Sequence, residues 1–327
     1  MDFFNETDCP AELFRSAFEE DVLHNSLLVR IRYELADNKQ LVIASEKNKL
    51  TSLRQDIIED EYGNLEPDIF FSRTGTDLMI FGDAVSDKGK VKNLTVSVTA
   101  GDYQLSMMVI GNRIWEKRNS KSQDLTPSEP EPFEKMPMTY KNAFGGKTKT
   151  EYGDLPFADN PLGKGYYLTK EEAENKPLPN IENPKALIKQ WNEQPEPVGI
   201  APYPSNWGLR LKRIVSVKGD DIELLPENGI FDKAIPALSG KRLESGQIVS
   251  IVGMRKSGKV QFQLPICPFE AIVSLGNKVH IRELVLEEVL IDLRQSTVDL
   301  SYRKNFNYDF VPHQIRKTVL RWKGSSV

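Results

Sequence analysis

From about Ser26 to Trp115 the pattern of apolar and polar positions is mostly strand-like. Val29, Ile31, Tyr33 and Leu35 alternate with Arg30, Arg32 and Glu34, the pattern of a strand with one face on a core and one in water. Leu94, Val96 and Val98 alternate with Thr95, Ser97 and Thr99, and Ala100-Gly101-Asp102 turns the chain into Tyr103, Leu105, Met107 and Val109. Residues 91–111 therefore predict a hairpin, and "DLMIFGDAV" at 77–85 predicts a strand beside it. Past residue 209 the alternation returns. Ile222 and Leu224 face one way, and Val260, Phe262 and Leu264 alternate with two glutamines. Gly276-Asn277 sits between apolar arms as a tight-hairpin signal, and residues 284–293 and 298–302 read as a closing pair. Near residues 10–20, Phe14 and Phe18 stand at i and i+4, which predicts a short N-terminal helix.

Between these zones, at about 120–208, neither period dominates. Thirteen of the twenty prolines fall there, and proline removes a backbone donor and fixes φ, so neither a continuous sheet nor a long helix fits. Asn183 as cap, Pro184 at the first helical position and Leu187, Ile188 and Trp191 on one side predict one short helix. Ten aromatic residues from Phe133 to Trp207 supply enough apolar area to order such a loop, so the zone reads as a packed cap. The expected fold is mainly β: antiparallel sheets in a sandwich-like or partly barrel-like arrangement, with a long proline-rich irregular insert and few short helices. The expected organisation is a helical segment at 1–25, a single β-rich domain at 26–310 and a basic tail at 311–327.

The chain has 327 residues, 28% of them charged, and a net charge of −4, which gives no global reason to expect nucleic acid as partner. The charge is uneven. Seven acids crowd the first twenty-one residues, whereas the last seventeen carry Arg316, Lys317, Arg321 and Lys323 with no acid. Short charge runs are usually solvated ends. Two distant cysteines, Cys9 and Cys267, form no disulfide framework and suit a reducing compartment. No apolar run approaches the ~20 residues of a membrane-spanning helix, and the acidic N-terminus lacks the basic and apolar regions of a secretory signal. A cytoplasmic location with no membrane span is expected.

Candidate chemistry is sparse. "GMRKSGK" at 253–259 has the G-x-x-x-x-G-K spacing of a phosphate loop. That loop also needs Ser or Thr after the lysine and a helix starting there. Val260 follows instead, and "VQFQLP" has strand alternation, so the segment reads as a hairpin with a basic tip. His24, His280 and His313 lack any metal-ligand spacing, no G-x-S-x-G elbow is present, and Cys267 sits in the apolar "LPICPF". Asp154, Asp159 and Glu182 are loop acids, which more often cap turns than flank a substrate. No cofactor and no metal are expected.

Four strings in the cap, in this order and spacing, carry a resemblance: "FEKMPMTYKNAFGG" (133–146), "NPLGKGY" (160–166), "LPNIENP" (178–184) and "PVGIAPYPSNWGLR" (197–210). Together with their flanks over about 20–305, they resemble a bacterial family catalogued as a domain of unknown function, whose genes sit beside those of the type VI secretion spike. Between Trp207 and "FDKAIPAL" the chain is shorter than many members of that family. The resemblance implies a non-enzymatic adaptor or chaperone. Such a protein holds a secreted effector, a PAAR-type tip protein or both in the cytoplasm and promotes loading onto the VgrG-type spike. It implies no catalytic residues. A hydrolase acting on carbohydrate or peptide in the proline-rich cleft is the competing expectation, and a nucleic-acid-binding module using the basic tail and the 255–259 tip is a third.

Within the strings, Gly145, Gly146, Gly163 and Gly165 are expected to supply positive φ or close backbone approach. Asn160 starts a turn with Pro161, and Asn180 lies in the third string. Glu182 is expected to accept backbone hydrogen bonds, and Arg210 to pair with an acid beneath the cap. Tyr140, Phe144, Tyr166, Tyr167, Tyr203 and Trp207 are the candidate contact aromatics, the last four expected to be exposed.

Overall fold

In a computed structural model, the structure describes residues 1–327 except 20–21, 37–39, 69–72, 118–123, 214, 219–220, 225–227 and 325–327. Side chains at 17–19, 215–218, 221–224 and 228 are likewise outside the described set. The facing of Ile222 and Leu224 therefore lies outside the described residues, although their strand, Asp221–Leu224, pairs with Val215–Lys218.

The chain is mostly β, its three largest sheets share one hydrophobic cluster, and among the described residues no barrel closes. A six-stranded sheet runs in the order Ala11–Glu19, Val22–Leu35, Thr297–Asp309, Val285–Asp292, Asp77–Phe81, with Leu41–Ile43 added on Val22–Leu35. A five-stranded sheet runs Ile181–Glu182, Tyr103–Ile110, Asn93–Ala100, Ile248–Val252, Lys259–Gln263. A four-stranded sheet runs Asp2–Asn5, Arg316–Trp322, Phe269–Leu275, Lys278–Glu283. Leu78, Met79, Ile80, Val96, Val98, Met107, Val249, Phe269, Val289 and Leu320 bring all three sheets into the shared core.

Most of the period-2 expectations hold. The 91–111 hairpin, the Gly276-Asn277 hairpin and the closing pair form as expected. The segment at 77–85 is two strands and neither lies beside that hairpin: the chain breaks at Gly82, Asp77–Phe81 pairs with Val285–Asp292 in the six-stranded sheet, and Asp83–Val85 pairs with Lys135–Pro137. At the loop that resembles a phosphate cradle, Ile248–Val252 pairs directly with Lys259–Gln263, and the Gly253 amide donates to the Gly258 carbonyl at 3.1 Å.

Three expectations are corrected. Residues 11–19 form a strand, not a helix, because Leu13 and Phe14 pair across to Leu27 and Ser26 and the sheet supplies their hydrogen bonds. Asn183-Pro184 opens only a turn, closed by Ala186 N–H donating to Asn183 O, and no helix follows over 184–191. The basic end is not a solvated tail. Arg316–Trp322 is an inner strand between Asp2–Asn5 and Phe269–Leu275, and Asp2 lies beside Lys317. The acidic start and basic finish of the chain thus offset each other in one sheet, and residues 2–5 and 316–322 belong to the same body as the rest.

Candidate functional site

The cap is built from backbone clasps before it is built from rings. Proline leaves many carbonyls without regular partners, and buried side-chain amides supply the donors. Asn160 Nδ2 donates to Tyr140 O at 2.8 Å and Phe144 O at 2.9 Å, while the Asn160 backbone carbonyl accepts from the Gly146 amide. Asn180 Nδ2 donates to Ile110 O at 2.8 Å, and the Ile110 and Asn180 backbones exchange a further bond, so the cap is stitched to the edge of the five-stranded sheet. Phe144–Gly145 pairs in parallel with Lys164–Gly165. Gly145 has φ +144°, and a Cβ there would sit 2.1 Å from Asn160 O; only glycine fits. Gly146 and Gly165 also have positive φ, and a Cβ on Gly163 would meet Ala143 O at 2.6 Å.

The aromatics fill the space between these clasps. Tyr140, Tyr203 and Trp207 form a buried edge-to-face trio with centroids 5.1 to 5.5 Å apart. Phe144, Phe157 and Tyr166 form a second stack, packed with Trp115, Leu178 and Ile188. The expectation of exposed contact aromatics is therefore corrected. Tyr166, Tyr203 and Trp207 are buried, and Tyr167 is half-buried with its hydroxyl donating to Pro177 O. In a stretch rich in proline these rings, with Met138, Leu178, Ile181, Ile188 and Ile200, supply the apolar area of the core.

The two ionic expectations are met. Glu182 accepts from Ile188 N at 2.8 Å and pairs with Arg113. Arg210 reaches Glu66 through two parallel bonds of 2.7 and 2.9 Å and also donates to Tyr203 O and Ile230 O. Asp154 is exposed on a hairpin, Asp159 is tied to Lys212 at 2.9 Å, and Glu182 is buried, so these three acids occupy three separate settings.

Below the cap lies a cluster that sequence reasoning missed. Glu288, fully buried, meets Arg54, Arg73 (2.8 Å) and Lys233 (3.6 Å). Asp68 joins Arg54 and Arg30, and Asp77 accepts from Arg73 at 3.0 Å and from the Lys233 amide at 2.7 Å. Arg30 is only 3% exposed, so the face of Val22–Leu35 expected to be wet is covered at this point by the segment bearing Arg54 and Asp68. The available signal was weak. "VLEEVLIDL" places acids on both faces of an otherwise apolar run.

Burial pushes the Lys233 ammonium down to about 7, with the Arg54 charge acting in the same direction. Burial pushes Asp77 up to about 6 against the pull of Arg73. For Glu288 burial also acts upward, but Arg54, Lys233 and Arg73 outweigh it and hold the carboxyl well below its ordinary range. Shifts of this kind occur in active sites. Here each of these groups is buried and already partnered, and what the arrangement does is fasten Arg54, Glu66, Asp68, Arg73 and Lys233 to the sheet. Among the described residues no group of three or more His, Cys, Asp or Glu is placed to hold a metal ion. No described helix is long and apolar enough to cross a membrane.

What the cap offers outward is a hairpin and the groove beside it. Lys147–Thr150 pairs with Gly153–Pro156, and Tyr152 at the tip is 93% exposed. The groove of about 1170 Å³ runs between this hairpin and residues 167–176, with Leu155 and Leu168 exposed along it. Next to it a shallow apolar pocket of about 640 Å³ lies over Phe157, Tyr166, Gly208 and Leu211. The cap thus presents Tyr152, Leu155 and Leu168 among the charged side chains of Lys147, Lys149, Glu151 and Lys176.

A family model described as "Uncharacterized protein conserved in bacteria (DUF2169)" matches residues 20–303, and the chain belongs to that family. Comparison with curated proteins and with solved structures finds no match.

Proposed function

We propose that this member of the family is a non-enzymatic adaptor of type VI secretion. It holds a secreted effector, a PAAR-type tip protein or both, and promotes their loading onto the VgrG-type spike. The cap does the holding, through the hairpin at 147–156 and the groove beside it. One observation carries the reading: the motif-bearing cap residues are spent on rigidity, while Tyr152, Leu155 and Leu168 are left exposed on that rigid base. Tyr152 stands at the tip of a hairpin whose backbone is already paired, so binding fixes few torsions beyond its own two, which favours affinity. The four strings that resemble spike-linked accessory proteins support the choice of partner.

The test is capture from a native host. Tagged chain should co-purify with an effector or spike-tip protein, and the triple variant Tyr152→Ser, Leu155→Ser, Leu168→Ser should lose that protein while unfolding at the same urea concentration. Normal effector levels and delivery in cells lacking the chain would overturn the reading.

A further inference from the structure

At one end of the four-stranded sheet, Lys278–Glu283 has Phe269–Leu275 on one side and, among the described residues, no strand on the other. Leu275 and Lys278 flank a two-residue turn and face each other across the hairpin. Antiparallel alternation then points the backbone N–H and C=O of Val279 and Ile281 away from the sheet. The two faces of this edge differ in chemistry. Val279 and Ile281 are each 63% exposed, and Ile281 continues a row through Ile272 and Val319 to exposed Phe4. On the opposite face stand Lys278, His280 and Arg282, none in an ion pair with a described residue.

We propose that this edge is a second binding surface, which takes an extended segment of another protein with alternating acidic and apolar residues as a fifth strand. Pairing supplies partners for the free backbone groups. Apolar residues of the segment extend the Phe4–Ile281 row, and its acids meet Lys278, His280 and Arg282 across the new ladder. A second copy of this chain fits poorly. Antiparallel self-pairing centred on His280 sets Lys278 against Arg282, and the next register that keeps the outward groups paired, a slip of two residues, sets His280 against Lys278 or Arg282. Nucleic acid would leave Val279 and Ile281 without complement. The surface does not involve the cap and stands or falls apart from the adaptor reading.

The experiment uses the purified full chain and a fluorescein-labelled octapeptide of alternating Glu and Val, followed by fluorescence anisotropy and by amide exchange. The Glu-Val peptide should bind, and it should slow exchange at Val279 and Ile281. An alternating Lys-Val peptide and a Glu-Glu-Val-Val peptide of the same composition should bind at least about tenfold more weakly. Reversing two charges, Lys278→Glu with Arg282→Glu, should weaken the Glu-Val peptide about tenfold or more, as inverted cross-strand pairs require. Ile281→Pro removes the outward donor while edge strands tolerate proline, so it should abolish binding with the urea midpoint little changed. Absence of Glu-Val binding would overturn the proposal. So would equal binding of all three peptides, tighter binding of a labelled single-stranded oligonucleotide, or a dimer by sedimentation with these amides already protected.

Discussion

The attachment of the cap to the sheet below can be weighed at a single side chain. All five N–H groups of the Arg210 guanidinium are used: two on Glu66, one on Tyr203 O and two on Ile230 O, at 2.6 to 2.9 Å. Arg210→Met keeps an unbranched apolar stem and removes every one of these bonds. Breaking a buried ion pair by deleting one partner costs about 3–5 kcal/mol, and the two carbonyls left without a donor are part of that cost. Taking about 4 kcal/mol, and an unfolding entropy of about 2.1 cal/mol/K per residue over 327 residues, Tm should fall by about 6 °C. Arg210→Lys retains charge without the planar fork and should recover no more than half of the loss. Urea and thermal unfolding, both followed by tryptophan fluorescence, give the free-energy loss and the shift in Tm.

The same variant carries a pH signature. Burial acts to raise the Glu66 pKa, but the hydrogen bonds and charge of Arg210 outweigh it and the carboxyl titrates below its ordinary value. A lowered folded-state pKa contributes stability that is present above the unfolded value, about 4.3, and lost as pH falls through the folded one. The gap between wild type and Arg210→Met should therefore narrow between pH 5 and pH 3. A loss below about 1 kcal/mol at pH 7, or a gap that does not change with acid, would refute the claim that this pair fastens the cap.

Further outcomes follow from the same geometry. Asn160→Ala leaves Tyr140 O and Phe144 O without their buried donor and should cost about 2–4 kcal/mol in urea unfolding. Gly145→Ala forces a Cβ to 2.1 Å from Asn160 O at φ +144° and should cost about 3 kcal/mol or more, or leave the cap open to limited proteolysis. Lys233, pushed down to about 7 by burial and then by the Arg54 charge, binds fewer protons folded than unfolded between pH 7 and its ordinary value of about 10.4. Its contribution thus grows as pH rises across that window. Lys233→Met should lack this rise when urea midpoints at pH 7 and pH 9.5 are compared.

Strands whose alternation continues into a short turn were legible, because both the period and the turn chemistry are local. Asn93–Ala100 with Tyr103–Ile110, and Phe269–Leu275 with Lys278–Glu283, are of this kind. Failures came where a distant partner decided the outcome. Phe14 at helical spacing from Phe18 sits in a strand because Val22–Leu35 lies beside it, and the "wet" Arg30 is dry because Asp68 and Asp299 close over it. The Arg316–Trp322 strand has seven residues and no hairpin partner nearby, so nothing local distinguishes it from a charged tail. In the cap, Gly145, Asn160, Glu182 and Arg210 were legible as shaping residues. The aromatics were misread because sequence gives the area of a ring and not which side of a loop it faces.

That misreading bears on where specificity resides. The motif strings cover Tyr140, Asn160, Asn180, Glu182, Tyr203 and Arg210, and all of these are buried in clasps, rings or ion pairs. Residues buried in this way can fix the outline of a docking face but cannot choose among partners that touch only its surface. In the adaptor reading, the choice passes to exposed positions between the strings, Tyr152 and Leu155 on the hairpin and Leu168 across the groove, where substitution leaves the clasps intact. Two chains sharing the strings and differing at 147–156 should accordingly share the cap's shape and stability yet take different cargo. Exchanging that hairpin alone between them should exchange the cargo they capture, and exchanging the strings should not.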